Sequence, residues 1–112
     1  MKKGSFYICV LKRDGSFNRA IEAEKMPGWV DGDIGIHEVK YNNLISSWVA
    51  THIPTGLRLV NERQECHKTR AAALKSAKEK IADPGFHGRV MEISKGEAFQ
   101  QFQRSRHEKE IT

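Results

Sequence analysis

One short turn constrains the fold of this chain more than any other feature. Pro54-Thr55-Gly56 separates two runs rich in β-formers, residues 44–53 and 57–61. Proline presets the backbone of the first turn position, and glycine readily adopts the left-handed conformation that such a turn needs. We therefore expect the two runs to pair as an antiparallel β-hairpin.

The first strand of this hairpin carries large apolar side chains on both faces. Successive residues of a strand point to opposite sides, so Trp48 and Val49 lie on different faces. Both would face a core only if the sheet were covered on both sides. Our interpretation is that one of the two marks a contact face.

A helix is predicted directly after the hairpin, from His67 or Thr69 to Asp83. Thr69 is a suitable N-cap, and Pro84-Gly85 ends the helical pattern. The residues expected on its apolar side are Ala71, Leu74, Ala77 and Ile81. The opposite side is mostly basic, so the helix is expected to pack on the sheet with a basic outer surface.

The N-terminal third of the chain is less regular. Residues 5–12, SFYICVLK, are apolar on both faces, which predicts a strand in the middle of a sheet or under a helix. Residues 16–23 fit a second strand or a short helical turn. Residues 24–33 are predicted to be a loop because Pro and Gly interrupt them. Trp29, inside that loop, either covers the core or forms an exposed contact. Residues 34–41 are predicted to be a strand.

The C-terminal region is predicted to contain one strand and one helix. Residues 88–93 are assigned as the last strand. Ser94 and Glu97 match the capping-box pattern, which predicts a helix over about residues 95–108 whose polar end frays. The prediction is thus a single α+β domain over residues 1–112. Its antiparallel sheet of four to five strands packs against one central amphipathic helix, with a short C-terminal helix in addition.

The residue types argue against several function classes. Cys9 and Cys66 cannot form a disulfide framework, and the five histidines lack the paired spacing of a zinc site. No nucleophile elbow, phosphate-binding loop or dinucleotide fingerprint is present. No apolar run approaches the roughly 18 residues of a membrane span, and no secretory signal is recognisable. We therefore expect a cytoplasmic protein that is not an enzyme and needs neither metal nor cofactor.

The charge is concentrated in the second half of the chain. The formal net charge is +5, and residues 1–56 hold 7 basic and 6 acidic residues while residues 57–112 hold 12 and 8. A positive surface attracts polyanions, above all nucleic acid. The residues predicted to contact a nucleic acid lie on the helix and at the hairpin tip. They are Lys68, Arg70, Lys75, Lys78, His52 and Arg58.

The order of strands followed by a basic helix is similar to the double-stranded-RNA-binding domain. Residues 68–73, KTRAAA, resemble the lysine- and alanine-rich start of that family's second helix. The resemblance implies that Lys68 and Arg70 span phosphates across a groove while the hairpin faces a neighbouring minor groove. The Gly-Pro-x-His loop of that family is missing here, and so is its first helix.

The same region, about residues 43–83, also resembles the arm-binding domains of phage integrases, in which a three-stranded sheet enters the DNA major groove. That resemblance implies base- or backbone-facing roles for Thr51, His52 and Arg58. Small basic proteins of this kind are similar to phage and prophage accessory proteins. Two alternatives to nucleic-acid binding follow: an accessory protein that modulates a host protein, and a structural subunit that docks through Phe99 and Phe102.

Overall fold

The computed structural model describes residues 1–13, 19–41, 45–59 and 67–111. An antiparallel five-stranded sheet, with its strands in sequence order, is followed by three helices. The strands are β1 (Lys2–Arg13), β2 (Arg19–Asp31), β3 (Ile34–Tyr41), β4 (Ile45–His52) and β5 (Leu57–Leu59). The helices are α1 (Arg70–Ala82), α2 (Phe86–Ser94) and α3 (Glu97–Glu110). The predicted α+β class is confirmed.

The sheet curls strongly because β2 pairs unequally with its two neighbours. It pairs with β1 along its whole length but with β3 only from Trp29 to Asp31. At the far side, the Cys9 N–H donates to the Gly56 carbonyl at 2.8 Å, which joins β1 to the turn before β5. The two ends of the strand order therefore approach each other. β1 is the first strand in the sheet order, so it does not lie in the middle of the sheet, which was one of its two predicted placements.

The concave face of the sheet is filled by Phe6. A Cβ added at Gly35 would lie 2.7 Å from the Phe6 ring, so the ring packs directly on the β3 backbone. The His37 ring lies beside it, with the centroids 5.9 Å apart. Val49 belongs to this face as well, since it pairs with His37, and it is buried.

The convex face is covered by α1 and α2. Sheet residues Ile34, Ile36, Ala50 and Leu59 form a core cluster with Ala73, Ala77 and Phe86 of the helices. Trp48 packs against this cluster and is partly buried. Both faces of β4 are therefore covered, and of the two candidates for a contact face Val49 is buried, whereas Trp48 keeps part of its surface exposed.

The predicted boundaries agree with the structure at several points. β3 has the predicted range, and the hairpin of β4 and β5 forms with Gly56 at φ +70°. Leu74, Ala77 and Ile81 of α1 pack inward as predicted, but Ala73 takes the buried place expected for Ala71, which is exposed. The first residue of the 44–53 run and the end of the 57–61 run lie outside the described residues.

Residues 24–33 are not the predicted loop, because β2 runs through them to Asp31. The Ala23 N–H points away from β1, towards α3. Pro27 is four residues further along an unbulged strand, so its missing N–H faces the same side. That side has no strand partner before Trp29, and proline therefore costs no ladder hydrogen bond there. Only Gly32 and Asp33 form the turn to β3.

Residues 88–93 are helical and not a strand, since they belong to α2. Phe86, Val90 and Ile93 recur at intervals of four and three, the spacing of one helical face. Phe86 is buried and meets the His52 ring edge-on, with the centroids 5.2 Å apart. This spacing predicts a helix once Phe86 is included, whereas the shorter 88–93 window resembles a strand.

The C-terminal helix exists, but the predicted capping box does not start it. The Ser94 hydroxyl donates to the Val90 carbonyl at 2.7 Å, so this side chain ends α2. The N-cap of α3 is Gly96, which has no side chain for capping. The helix continues to Glu110, past the predicted end at about residue 108.

Helix α3 lies along the side of β2 that has no strand partner. The Ala23 N–H donates to Ser105 Oγ at 3.0 Å, and Lys109 Nζ donates to the Ala23 carbonyl. The side chains of Ser105 and Lys109 thus satisfy the N–H and the C=O of Ala23. Without them, these two backbone groups would need a neighbouring strand as hydrogen-bond partner. Phe102 is fully buried and packs on Gly56. It belongs to the core and is not exposed for docking, while Phe99 is half-buried.

Candidate functional site

Helix α1 has well-defined ends. The Ala72 N–H donates to Thr69 Oγ1 at 3.1 Å, which confirms Thr69 as the N-cap. At the other end, Asp83 is the C-cap and its Oδ1 accepts from the Gly85 N–H at 3.0 Å. Arg70 is thereby fixed as the first helical residue, directly above the sheet.

Two tryptophans from separate strands surround the Arg70 side chain. Its guanidinium carbon lies 4.0 Å from the centroid of the Trp29 ring and 5.6 Å from that of Trp48. Trp29 pairs with Ile36 on β3, and Trp48 belongs to β4 on the same face of the sheet. The guanidinium therefore lies within cation–π distance of both rings.

This arrangement leaves the hydrogen-bonding groups of Arg70 available. A guanidinium that stacks on a ring uses its face, while its N–H donors point outwards in the plane. Among the described residues, no carboxylate lies within ion-pair distance of Arg70. An oriented arginine with unused donors is suited to bidentate binding of a phosphate.

Two other cations lie close to this arginine. Lys3 of β1 lies directly opposite Trp29 in the sheet, Lys68 precedes Arg70 by two residues, and both lysines are exposed. We call Lys3, Lys68 and Arg70, with the two tryptophan rings, the Arg70 surface. Glu38 pairs directly with Trp48 and shares its face of the sheet, so an acidic residue borders the Arg70 surface.

The charges at the start of α1 oppose the helix dipole. The first turn of α1 contains no acidic residue, and it begins with Arg70 two residues after Lys68. In α3 the order is the usual one, with Glu97 in the first turn and His107 and Lys109 in the last. Cations at a helix N-terminus are unfavourable by a few tenths of a kcal/mol up to about 1 kcal/mol each. An anion bound there would offset that cost.

The structure does not bring the six predicted contact residues together on one surface. Lys68 and Arg70 belong to the Arg70 surface, whereas Lys75 lies about 140° from Arg70 around the helix axis, on the exposed outer side of α1. Lys78 lies on the flank of α1 next to β2, where its Nζ is 3.4 Å from Asp31 Oδ2 in an exposed ion pair. His52 and Arg58 lie at the opposite end of α1, beside Lys80.

His52 has little surface with which to contact a ligand directly. It is only 7% exposed, and its Nδ1 lies 2.9 Å from Thr55 Oγ1 in the β4–β5 turn. Burial lowers its pKa, and the nearby Asp33 opposes that effect only in part. His52 therefore stabilises the hairpin as a neutral side chain. Arg58 is exposed.

Sequence reasoning identified the site only in part. Lys3 was not assigned to it, Trp48 was one of two candidates for a contact face, and Trp29 was left between two roles. Trp29 and Asp31 are two residues apart, the spacing of side chains on one face of a strand. Pro27 and Gly28 made the same stretch resemble a loop, so this spacing was not used. Arg104 and Arg106 do not extend the Arg70 surface, since they lie on α3, where Arg106 donates to the Ile53 carbonyl at 3.4 Å.

Metal ligands and reactive thiols can be placed only within the described residues. Within them, no three His, Cys, Asp or Glu side chains converge on a point that could hold a metal ion. Burial raises the pKa of the Cys9 thiol, which disfavours its reactive thiolate form. Cys66 lies outside the described residues. None of the helices in the described part of the chain is both long and apolar enough to span a bilayer.

Comparison with known proteins gives no relative. No protein-family model, no curated protein and no solved structure matches this chain. The function must therefore be argued from the site itself.

Proposed function

We propose that this protein binds nucleic acid through its phosphate backbone, with Arg70 as the central contact. The observation that carries the proposal is the position of the Arg70 guanidinium beside the Trp29 and Trp48 rings. The planar fork of N–H donors is preorganised, so little side-chain entropy is lost per hydrogen bond when it binds a phosphate. Lys68, which precedes α1, and Lys75, on its outer side, would contact phosphates further along the backbone.

Backbone contact fits this surface better than base readout. Arg70 covers the Trp29 ring at 4.0 Å, so that ring is not a free platform for stacking a base. Lysines act as point charges that neutralise phosphates without reading sequence. The proposal is accordingly for sequence-independent binding to duplex DNA or RNA, with an affinity that falls steeply as salt rises.

The test is fluorescence anisotropy with labelled duplex DNA, duplex RNA and single strands at several salt concentrations. Lys68→Gln/Lys75→Gln removes two exposed charges, one next to Arg70 and one on the outer side of α1. Each phosphate contact contributes about 0.9 to the slope of log K against log salt on duplex DNA, so the slope should fall by about 1.8. Lys95→Gln/Arg104→Gln is the matched control, because both side chains are exposed and lie outside both the Arg70 surface and α1.

A further variant separates orientation from charge. Arg70→Lys keeps the positive charge and loses the planar fork, so we expect binding to weaken several-fold at constant salt. The proposal fails if the wild type does not bind, or if the control pair weakens binding as much as Lys68→Gln/Lys75→Gln. Equal losses would mean that net charge alone attracts the polyanion.

A further inference from the structure

A cavity lies at the end of α1 that is remote from Arg70. It has a volume of about 190 Å³ and lies between the β4–β5 hairpin and helices α1 and α2. Its apolar wall is formed by Leu57, Leu59, Phe86, Val90 and Ile93. Leu57 and Ile93 are 37% and 38% exposed, so this wall reaches the surface. The cavity is therefore open to a ligand from solution.

The charged residues lining this cavity are predominantly basic. Lys80 comes from α1, Arg89 from α2 and Arg58 from β5. Asp83 lies next to this group, with its Oδ2 3.3 Å from Arg89 Nη2 and its charge also interacting with Lys80. The described residues that line the cavity include three basic side chains and no acidic one.

The inner end of the cavity is neutral and rigid. His52 lines it, with its ring held by Thr55 on one side and by the Phe86 ring on the other. Burial lowers the pKa of His52, so this end presents an uncharged ring at neutral pH. The polarity of the site thus changes from an apolar interior to cations near the solvent.

We propose that this cavity binds a small carboxylate whose apolar body is about the size of a benzene ring. An engineered apolar cavity of about 150 Å³ accepts benzene, so a volume of 190 Å³ accommodates a ring of this size. The ring would pack against Phe86 and Val90, and the carboxylate would reach Lys80 and Arg89. This proposal is independent of nucleic-acid binding, because the Arg70 surface contributes no residue to the cavity.

The ion pair between Arg89 and Asp83 does not prevent this binding. The two side chains are 57% and 52% exposed, and ion pairs that exposed hold their partners weakly. Arg89 has more N–H donors than Asp83 uses, so a ligand carboxylate can share it. A cationic ligand would instead meet three positive side chains.

The test is an NMR titration of the backbone amides with benzoate and phenylacetate. We expect saturable shifts at Leu59, Phe86 and Val90, with a dissociation constant on the order of 1 mM or tighter. Benzyl alcohol and benzylamine supply the ring without the negative charge, and acetate supplies the charge without the ring. Each of these three should bind at least about tenfold more weakly, since each lacks one of the two contacts.

Two variants place the site. Leu57→Trp should fill the mouth of the cavity and abolish the shifts, whereas Met91→Trp, on α2 outside the cavity wall, should leave them unchanged. Lys80→Gln/Arg89→Gln should weaken benzoate binding at least about tenfold, and the Lys95→Gln/Arg104→Gln pair should not. The amide spectrum of each variant reports whether it is folded.

Three results would overturn the inference. The first is the absence of saturable shifts with either aromatic carboxylate in the folded wild-type protein. The second is equal binding of benzoate and benzyl alcohol, and the third is benzoate binding that Lys80→Gln/Arg89→Gln leaves unchanged. In each case, the result of the nucleic-acid titration would still stand by itself.

Discussion

The Arg70 guanidinium carbon lies 4.0 Å from the centre of the Trp29 ring, although the two residues come from a helix and a strand far apart in sequence. The contact ties the start of α1 to β2. It also orients the cation on which the proposed phosphate contact depends.

This contact should contribute to stability in a measurable way. An exposed cation–π pair contributes about 0.5–1 kcal/mol. A double-mutant cycle of Arg70→Gln and Trp29→Leu, followed by urea denaturation, should give a coupling free energy in that range. Strictly additive effects of the two substitutions would show that the ring does not hold the guanidinium.

Gly56 should be far less tolerant of substitution than Gly32, although both have a positive φ. A Cβ at Gly56 would lie 2.6 Å and 2.8 Å from two atoms of the Phe102 ring, whereas a Cβ at Gly32 would meet nothing within 4 Å. Gly32→Ala should therefore cost only the backbone strain, roughly 1–2 kcal/mol. Gly56→Ala adds a clash in a packed core and should cost about 1–3 kcal/mol more.

Urea denaturation of the two glycine variants checks this difference. Each substitution introduces the same methyl group in a similar backbone conformation, with φ +70° and +58°, so the comparison isolates the contact with Phe102. Equal losses of stability would contradict the packing of α3 on the β4–β5 turn.

The hydrogen bond from Ala23 to Ser105 should protect the edge of β2. Ser105→Ala leaves the Ala23 N–H without its partner, which should lower the free energy of unfolding by about 1 kcal/mol. Hydrogen exchange at the Ala23 amide should also become faster. Ser94→Ala is the matched control, because its hydroxyl bonds within its own helix and holds no strand. If Ala23 exchanged equally fast in both variants, α3 would not be what covers β2.

The protein should become less stable as pH falls below about 6.5. Burial lowers the pKa of His37 and of His52 from the ordinary value of 6.5, and the Arg58 charge adds to the effect at His37. Below pH 6.5 the unfolded chain therefore binds more protons than the folded chain, and stability is lost on acidification. The contribution of each histidine is at most about 1.4 kcal/mol per pH unit.

Urea midpoints at pH 7.5, 6.5 and 5.5 measure this dependence. His37→Gln and His52→Gln should each reduce the change of the urea midpoint with pH, whatever their effect on stability at neutral pH. Asp83 does not interfere, because its hydrogen bond from the Gly85 N–H lowers its pKa below the usual 3.8. Greater stability at pH 5.5 than at pH 7.5 would contradict the burial of the two imidazoles.

The local sequence signals were sufficient to predict the β4–β5 hairpin and helix α1. Gly56 has the positive φ that the turn requires, and Thr69 caps the helix as its position predicts. These features depend on a few adjacent residues, which a sequence displays directly. The basic character of the outer side of α1 was visible for the same reason.

The sequence could not reveal features that depend on distant pairing. Pro27 and Gly28 indicated a loop, but their pairing with Ser5 and Gly4 of β1 holds them in a strand. The Trp29–Arg70 contact follows from that register and was hidden with it. α2 was missed because the predicted window began at Gly88, after the buried Phe86.

The central claim can be tested most directly with the tryptophan fluorescence of the unmodified protein. The chain contains two tryptophans, Trp29 and Trp48, and both contact Arg70. A nucleic acid bound at Arg70 must therefore change their emission. We expect titration with an unlabelled duplex to change the emission saturably and high salt to reverse the change. Binding detected by anisotropy with unchanged tryptophan emission would contradict the assignment of the Arg70 surface as the binding site.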